Sequence, residues 1–151
     1  MLLGIDLGDR RIGIAAADST SGSVTPLLTL RRSNPEQDAD ALARICAERR
    51  AEAIVVGLPL HLDGSESEQS RRTRAWVEAV APSIGLPVTF RDERLSSHAA
   101  ETRMGHAPRG RSGGAPSAAA RRAWRARIDR EAAAAILQRE LDARTGVEAT
   151  P

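Results

Sequence analysis

The polar and apolar positions of this chain change period several times, and each change marks an element. Residues 2–8, Leu-Leu-Gly-Ile-Asp-Leu-Gly, are apolar apart from Asp6 and read as a buried strand running into a glycine. Gly8-Asp9-Arg10-Arg11 predicts a turn, residues 12–17 a second strand, 19–23 a further turn and 24–30 a third strand. Asn34-Pro35-Glu36 is a helix start, with Asn34 as cap and Pro35 at the first helical position, and Leu42, Ile45 and Cys46 supply its apolar stripe. Residues 53–58, Ala-Ile-Val-Val-Gly-Leu, form a continuous apolar run, the signature of a strand covered on both faces. After a polar loop with Asp63-Gly64 comes a helix carrying Trp76, Val77 and Val80 and closed by Pro82. A strand at 86–91 and a helix over 96–104 follow, then a flexible loop over 105–117, where glycine and proline concentrate. The last helix begins between 118 and 128 and runs to about 143, with Asp129 opening its alanine-rich part and a frayed tail behind it.

The predicted order is β-β-β-α-β-α-β-α-α. A meander followed by crossover units makes an α/β fold: a five-stranded mixed sheet, strands 1, 4 and 5 parallel, with helices on both faces. Its 151 residues suit one domain, expected over 1–145 with 146–151 as a tail. Ligands in such sheets bind at the carboxyl ends of the strands. Asp6, Gly57-Leu58-Pro59 and Asp92-Glu93-Arg94 all fall at such ends.

Composition narrows the classes. No apolar run approaches the roughly 18 residues of a membrane span, and the first apolar stretch lacks a basic leader, so a cytoplasmic protein without membrane contact is expected. Cys46, the lone cysteine, excludes an internal disulfide and reads as a small core residue. Net charge is +2, yet residues 103–130 carry eight arginines against Asp129 alone, a local +7 that leaves −5 for the remainder. Such density points to a polyanion; a solvated arginine face is the plain alternative. All 22 basic residues are arginine, which weakens any argument from the choice of arginine over lysine.

Taken singly, Asp6 reads as a turn acid and Asp129 as a helix-start acid. Together with Glu93 they change meaning. Asp129, Ala133, Ile136 and Glu140 share one helical face, so Asp129 sits at the edge of the stripe that meets the sheet. Three acids gathered at one sheet edge repel each other unless a cation meets them. An all-carboxylate site suits magnesium or manganese and phosphodiester hydrolysis. The histidines (His61, His98, His106) show no metal-ligand spacing, and no nucleophile elbow or Walker loop is present.

The motif Gly4-Ile5-Asp6-Leu7-Gly8-Asp9-Arg10-Arg11-Ile12-Gly13-Ile14-Ala15 resembles the opening block of the YqgF/RuvX family. Val56-Gly57-Leu58-Pro59-Leu60 with Asp63-Gly64, Asp92-Glu93-Arg94-Leu95-Ser96-Ser97, and Ile128-Asp129 with Ala132-Ala133 and Ile136-Leu137 match its later blocks in order, over roughly residues 2–142. The resemblance implies an RNase H-like fold related to RuvC-type Holliday junction resolvases, and a role in maturing the 5′ end of pre-16S rRNA. It makes Asp6, Glu93 and Asp129 the catalytic and metal-binding acids, with Asp92, Gly57 and Pro59 as candidates for supporting them. Arg10, Arg11, Arg94, Arg109, Arg111, Arg121 and Arg122 are the candidate nucleic-acid contacts, expected to hold phosphates rather than bases. One departure stands out: the loop before Ile128 usually carries lysines in this family, and here carries only arginines among glycines and alanines.

The leading reading is thus a metal-dependent nuclease acting on structured nucleic acid, pre-rRNA or branched DNA, with the ribosome as a further candidate partner. Monomer and homodimer stay open. Two other classes compete. Asp6-Leu7-Gly8 also resembles the first phosphate motif of sugar-kinase-type ATPases, but those need two such domains and this chain provides one. A catalytically silent RNA- or ribosome-binding module would have no need of all three acids. Aromatic residues are 2% of the chain, which leaves Trp124 as the candidate for base stacking.

Overall fold

The computed structural model describes residues 1–93, 109–110 and 112–146. Among them, the apolar runs form strands β1 (Leu2–Leu7), β2 (Arg11–Ala17), β3 (Val24–Arg31), β4 (Ala53–Leu58) and β5 (Val88–Asp92). Helices α1 (Pro35–Arg49), α2 (Glu68–Ile84) and α3 (Ala118–Thr145) complete the set. The sheet order is β3-β2-β1-β4-β5. β1–β2 and β2–β3 pair antiparallel, whereas β1–β4 and β4–β5 pair parallel, as the meander and crossovers require. The expected mixed sheet is the observed one.

Strand alternation sorts the side chains onto two unlike faces. Leu3, Ile5, Leu7, Ile12, Ile14, Ile54 and Val56 face α1 and α2, where Leu42, Ile45, Trp76, Val77 and Val80 close a thick core. Cys46 packs in that core, as expected of it. The other face presents Leu2, Ala15, Ala17 and Val55 to Ala133, Ala134, Ile136 and Leu137 of α3. Small residues on both sides make this second layer thin.

Helix starts follow their caps. Asn34 accepts from the Gln37 N–H, Ser67 from Ser70 and Ser117 from Ala120. One boundary differs from the sequence reading, and another falls at the early limit of its expected range. α2 runs through Pro82 and ends at Gly85 in the left-handed conformation. Proline's missing N–H leaves only the carbonyl of Glu78 without its helical donor, and Glu78 lies on the solvent side. Asp129 does not open its helix: Ser117 caps α3, and Asp129 lies a little over three turns in. The helix foreseen over 96–104 lies outside the described residues, as does much of the 105–117 loop; its described part turns through a Gly110 N–H to Gly114 oxygen bond of 3.0 Å.

α3 crosses the sheet diagonally from β3 to β5. Thr29 on β3 donates its hydroxyl to the Ala126 carbonyl at 2.7 Å. On β2, a Cβ at Gly13 would stand 2.0 Å from the Asp129 carbonyl oxygen, and at Gly4 on β1 one would stand 2.8 Å from that of Ala133. At the far end Arg91 of β5 and Arg144 both pair with Glu140, which is only 3% exposed. Burial alone would raise the Glu140 carboxyl, but the Arg144 and Arg91 guanidiniums outweigh it and hold it below the usual range.

Gly13→Ala is therefore an overpacking change against backbone, which has no rotamer to escape into. Such changes cost typically 1–3 kcal/mol, and this one belongs at the upper end or beyond. The expected melting temperature falls by roughly 5–10 °C, measured by calorimetry beside the Gly114→Ala control, where a Cβ meets only ordinary contact. An unchanged midpoint for Gly13→Ala would show that α3 does not lie this close.

Candidate active site

Asp6 shares the α3-facing side of β1 with Leu2 and Gly4, and its cross-strand partner is Gly13. The helix therefore passes beside Asp6 rather than over it, and the carboxyl emerges between α3 and the strand ends. Glu93 follows β5 directly. Its N–H donates to the Leu58 carbonyl at 3.0 Å, extending the β4–β5 ladder by one residue and fixing where the side chain leaves the sheet. That side chain lies on Gly57, where a Cβ would stand 2.5 Å from Glu93 Oε2 and 2.5 Å from Ile136 Cδ1. A glycine is needed at 57 because a carboxyl group occupies the space.

The Asp6 and Glu93 carboxyls are hydrogen-bonded to each other. Burial pushes Asp6 up to about 6; the bond to Glu93 opposes this, and the charge of Asp129 adds to it. Glu93 is raised further, to about 10, by burial first, then by the Asp6 charge and its hydrogen bond, with Asp92 adding and Arg139 opposing. Two half-buried carboxyls in contact resist ionising together, so both are raised and the pair holds a proton more tightly than either acid would alone.

Asp129 is held aside. Arg11 Nε meets its Oδ2 at 2.6 Å, with the two side chains 32% and 18% exposed. Among the described residues no three His, Cys, Asp or Glu side chains come together tightly enough to hold an ion as they stand. The structure thus brings two of the expected three acids into contact and sets the third beside them on an arginine. The donor chemistry nonetheless fits a hard divalent cation: oxygen ligands only, largely buried, around a proton that a cation can displace. Asp6 and Glu93 would hold it, and Asp129 would join on leaving Arg11.

The supporting candidates separate. Gly57 touches Glu93 directly. Asp92 belongs by strand alternation to the face of Val88 and Phe90, away from α3, and its carbonyl accepts from Arg139. The Pro59 carbonyl accepts the hydroxyl of Ser67, the α2 cap, and so anchors the loop after β4. Among the arginines, Arg11 is committed to Asp129 rather than to solvent. Arg10 and Arg109 are exposed, as are Arg121 and Arg122 on the first turns of α3; Arg121 also donates to the Pro116 carbonyl at 3.0 Å. Arg94 and Arg111 lie outside the described residues. Trp124 is half-buried, with the Arg127 guanidinium 6.0 Å from its ring centre. No helix among the described residues is long and apolar enough to cross a membrane.

Sequence reasoning missed Gly13, Arg139 and the Arg11–Asp129 pair. Gly13 had a signal: a glycine inside a strand marks close backbone approach. The ion pair had none, since Arg11 and Asp129 stand 118 positions apart.

Known proteins share this sequence and fold. The RuvX family model, described as Holliday junction resolvase, matches residues 1–143. A relative from Acaryochloris marina named "Putative pre-16S rRNA nuclease" is 38% identical, covering 98% of this chain and 96% of its own. One of the same name from Anaeromyxobacter sp. is 42% identical over 94% of this chain and 96% of its own. Among solved structures, Thermus thermophilus RuvC in complex with a Holliday junction substrate superposes with a TM-score of 0.55 at 16% identity, covering 96% of this chain and 95% of that one. The fowlpox virus Holliday junction resolvase gives 0.52 at 10% identity, covering 94% and 98%. The fold is the RNase H-like fold of those resolvases. Matched nearly end to end, and carrying all four motif blocks in order, the chain belongs to the RuvX family.

Proposed function

We propose that this protein is a divalent-metal-dependent nuclease that hydrolyses phosphodiester bonds in structured nucleic acid, with the 5′ end of pre-16S rRNA as its substrate and the cytoplasm as its compartment. The observation that carries the reading is the Asp6–Glu93 carboxyl pair, half-buried and in mutual contact at the carboxyl ends of β1 and β5, where desolvation raises both acids. A pair so placed costs stability, which is the mark of a site kept for chemistry. The relatives' name supports pre-rRNA.

Asp6 and Glu93 serve as metal ligands, with Asp129 as the third. Mg2+ or Mn2+, when bound, supplies positive charge for the phosphate oxygens and acidifies a water molecule. The chain's own residues do the rest. Arg11, on releasing Asp129, faces the same edge and can take a phosphate oxygen. Exposed Arg121 and Arg122, on the positive end of α3, hold the backbone and orient it. Water attack at phosphorus breaks the bond to the 3′ oxygen, which takes a proton, leaving a 5′-phosphate and a 3′-hydroxyl.

A second reading has its own support. The family description and the RuvC-like fold favour branched DNA as substrate, with the same acids and the same bond cleaved. End-labelled pre-16S 5′-leader RNA and a four-way DNA junction, each offered with Mg2+ and with Mn2+, separate the two. The expected result is faster cleavage of the RNA, and preferential junction cutting would install the second reading instead.

Asp6→Asn, Glu93→Gln and Asp129→Asn each remove one ligand with little change of volume. Each is expected to lower cleavage by at least about a hundredfold while retaining most nucleic-acid affinity. Near wild-type turnover in any of them, at saturating metal, excludes that residue as a ligand.

The empty site sets a second expectation. Asp6 is raised in the folded state, so its contribution to stability is fully present below the ordinary value of 3.8 and is lost as pH rises through about 6. In chelator, wild type should lose on the order of 1–3 kcal/mol across that window relative to Asp6→Asn, which cannot ionise. Millimolar Mg2+ or Mn2+ should then raise the wild-type melting temperature and move the variant's much less. Parallel pH profiles for the two proteins would show that Asp6 is not strained by burial.

A further inference from the structure

Two arginines that the sequence reading passed over stand on the same sheet edge as the acids. Arg31, the last residue of β3, is directly opposite Arg11 of β2 in the antiparallel register. Like charges so paired are destabilising unless something neutralises them. Asp129 neutralises Arg11. Arg31 is exposed and has no carboxylate partner among the described residues. Arg32 follows it, with its N–H on the Arg10 carbonyl at 2.8 Å and its Nη1 on the Gly8 carbonyl at 3.0 Å. This lashes the end of β3 to the turn that follows Asp6. Arg10 in that turn is exposed and likewise without a carboxylate partner, with Asp9 the acid beside it.

The face can be assigned. Thr29, two residues before Arg31, reaches α3 through the Ala126 carbonyl, so Arg31 projects on the α3 side, as Asp6 does. Glu93, Asp6, Arg11 and Arg31 therefore follow one another across a single edge of the sheet, on one face and on the carboxyl side of the helix crossing. β3 lies two interstrand spacings, roughly 10 Å, from β1. A phosphate at Arg31 is consequently a different phosphate from the one at Asp6. Exposed Arg122 and Arg125 continue the band along α3.

We propose that Arg10, Arg31 and Arg32 form a phosphate-binding subsite for a double-helical segment of the nucleic acid, next to the bond that is cut. The inference rests on the nuclease reading and adds the shape of what lies beside the scissile bond. Double helix rather than single strand follows from what the band lacks. Phe90 sits under Arg74 and Trp76 is buried, both against the α1–α2 side, so among the described residues only Trp124 is near, itself half-buried under Arg127. A surface of guanidiniums without a stacking platform suits a backbone whose bases are already paired.

The test measures affinity against salt for Arg10→Ala/Arg31→Ala, in an Asp6→Asn background that prevents cleavage. The probes are a short blunt duplex and a single strand of the same length. Arg32 is spared because its bond to Gly8 supports the Asp6 strand. On the duplex, binding is expected to weaken roughly tenfold and the slope of log affinity against log salt to flatten by roughly 0.9 per lost contact. On the single strand the slope should barely move. Arg49→Ala in the last turn of α1, exposed and beside Met1 at the opposite edge of the sheet, is the control expected to change neither. A parent that binds and a double variant with an unaltered duplex slope overturn the subsite alone. Equal losses on both probes overturn the double-helical assignment. A wild-type protein that neither binds nor cleaves overturns the nuclease reading together with it.

Discussion

The close approach of α3 to the sheet is the constraint on which the rest depends. A helix packed on a sheet through ordinary side chains stands about 10 Å away. Here Gly13 and Gly4 remove that spacer, and helix carbonyls descend to within 2.0 and 2.8 Å of where a Cβ would be. Only at that depth does Asp129, more than three turns into a long helix, come level with Asp6 on the strand beneath. The alanines at 132–135 are small for the same reason. At both ends the helix is fastened, by Thr29 to Ala126 and by Glu140 between Arg91 and Arg144, so its diagonal is fixed across the whole sheet.

That placement produces an electrostatic problem, which the fold answers locally. Three carboxyls within reach of one another would carry three charges in a poorly solvated space. The Glu93 and Asp6 carboxyls are raised together and hydrogen-bonded to each other, and Asp129 leans on Arg11. The same two devices describe what a cation must displace: one proton and one guanidinium. The cost of gathering these acids and the function proposed for them thus have a single physical origin.

Much of this was legible in the sequence. Strand and helix positions followed from period and caps, since the turn residues, Asn34-Pro35 and the apolar run at 53–58 obey local rules. Asp6 and Glu93 were legible because strand ends in a parallel sheet are where ligands bind. Local rules failed where distance along the chain decided the outcome. Asp129 looked like a helix opener because glycine and alanine precede it, whereas Ser117 caps the helix and carries it past β3. Pro82 looked like a terminator, but a proline in the last turn leaves only one solvent-side carbonyl without a donor. Arg11 looked like a phosphate ligand, and only its long-range partner reveals that it first serves Asp129.

The account stands most directly on where a divalent ion binds. A crystal grown or soaked with Mn2+ and measured at the manganese absorption edge locates it without reference to activity. The expected result is an anomalous peak bounded by the carboxylates of Asp6 and Glu93, with Asp129 turned from Arg11 toward it. A well-ordered site with Asp6 and Glu93 still hydrogen-bonded to each other and manganese elsewhere would contradict the account.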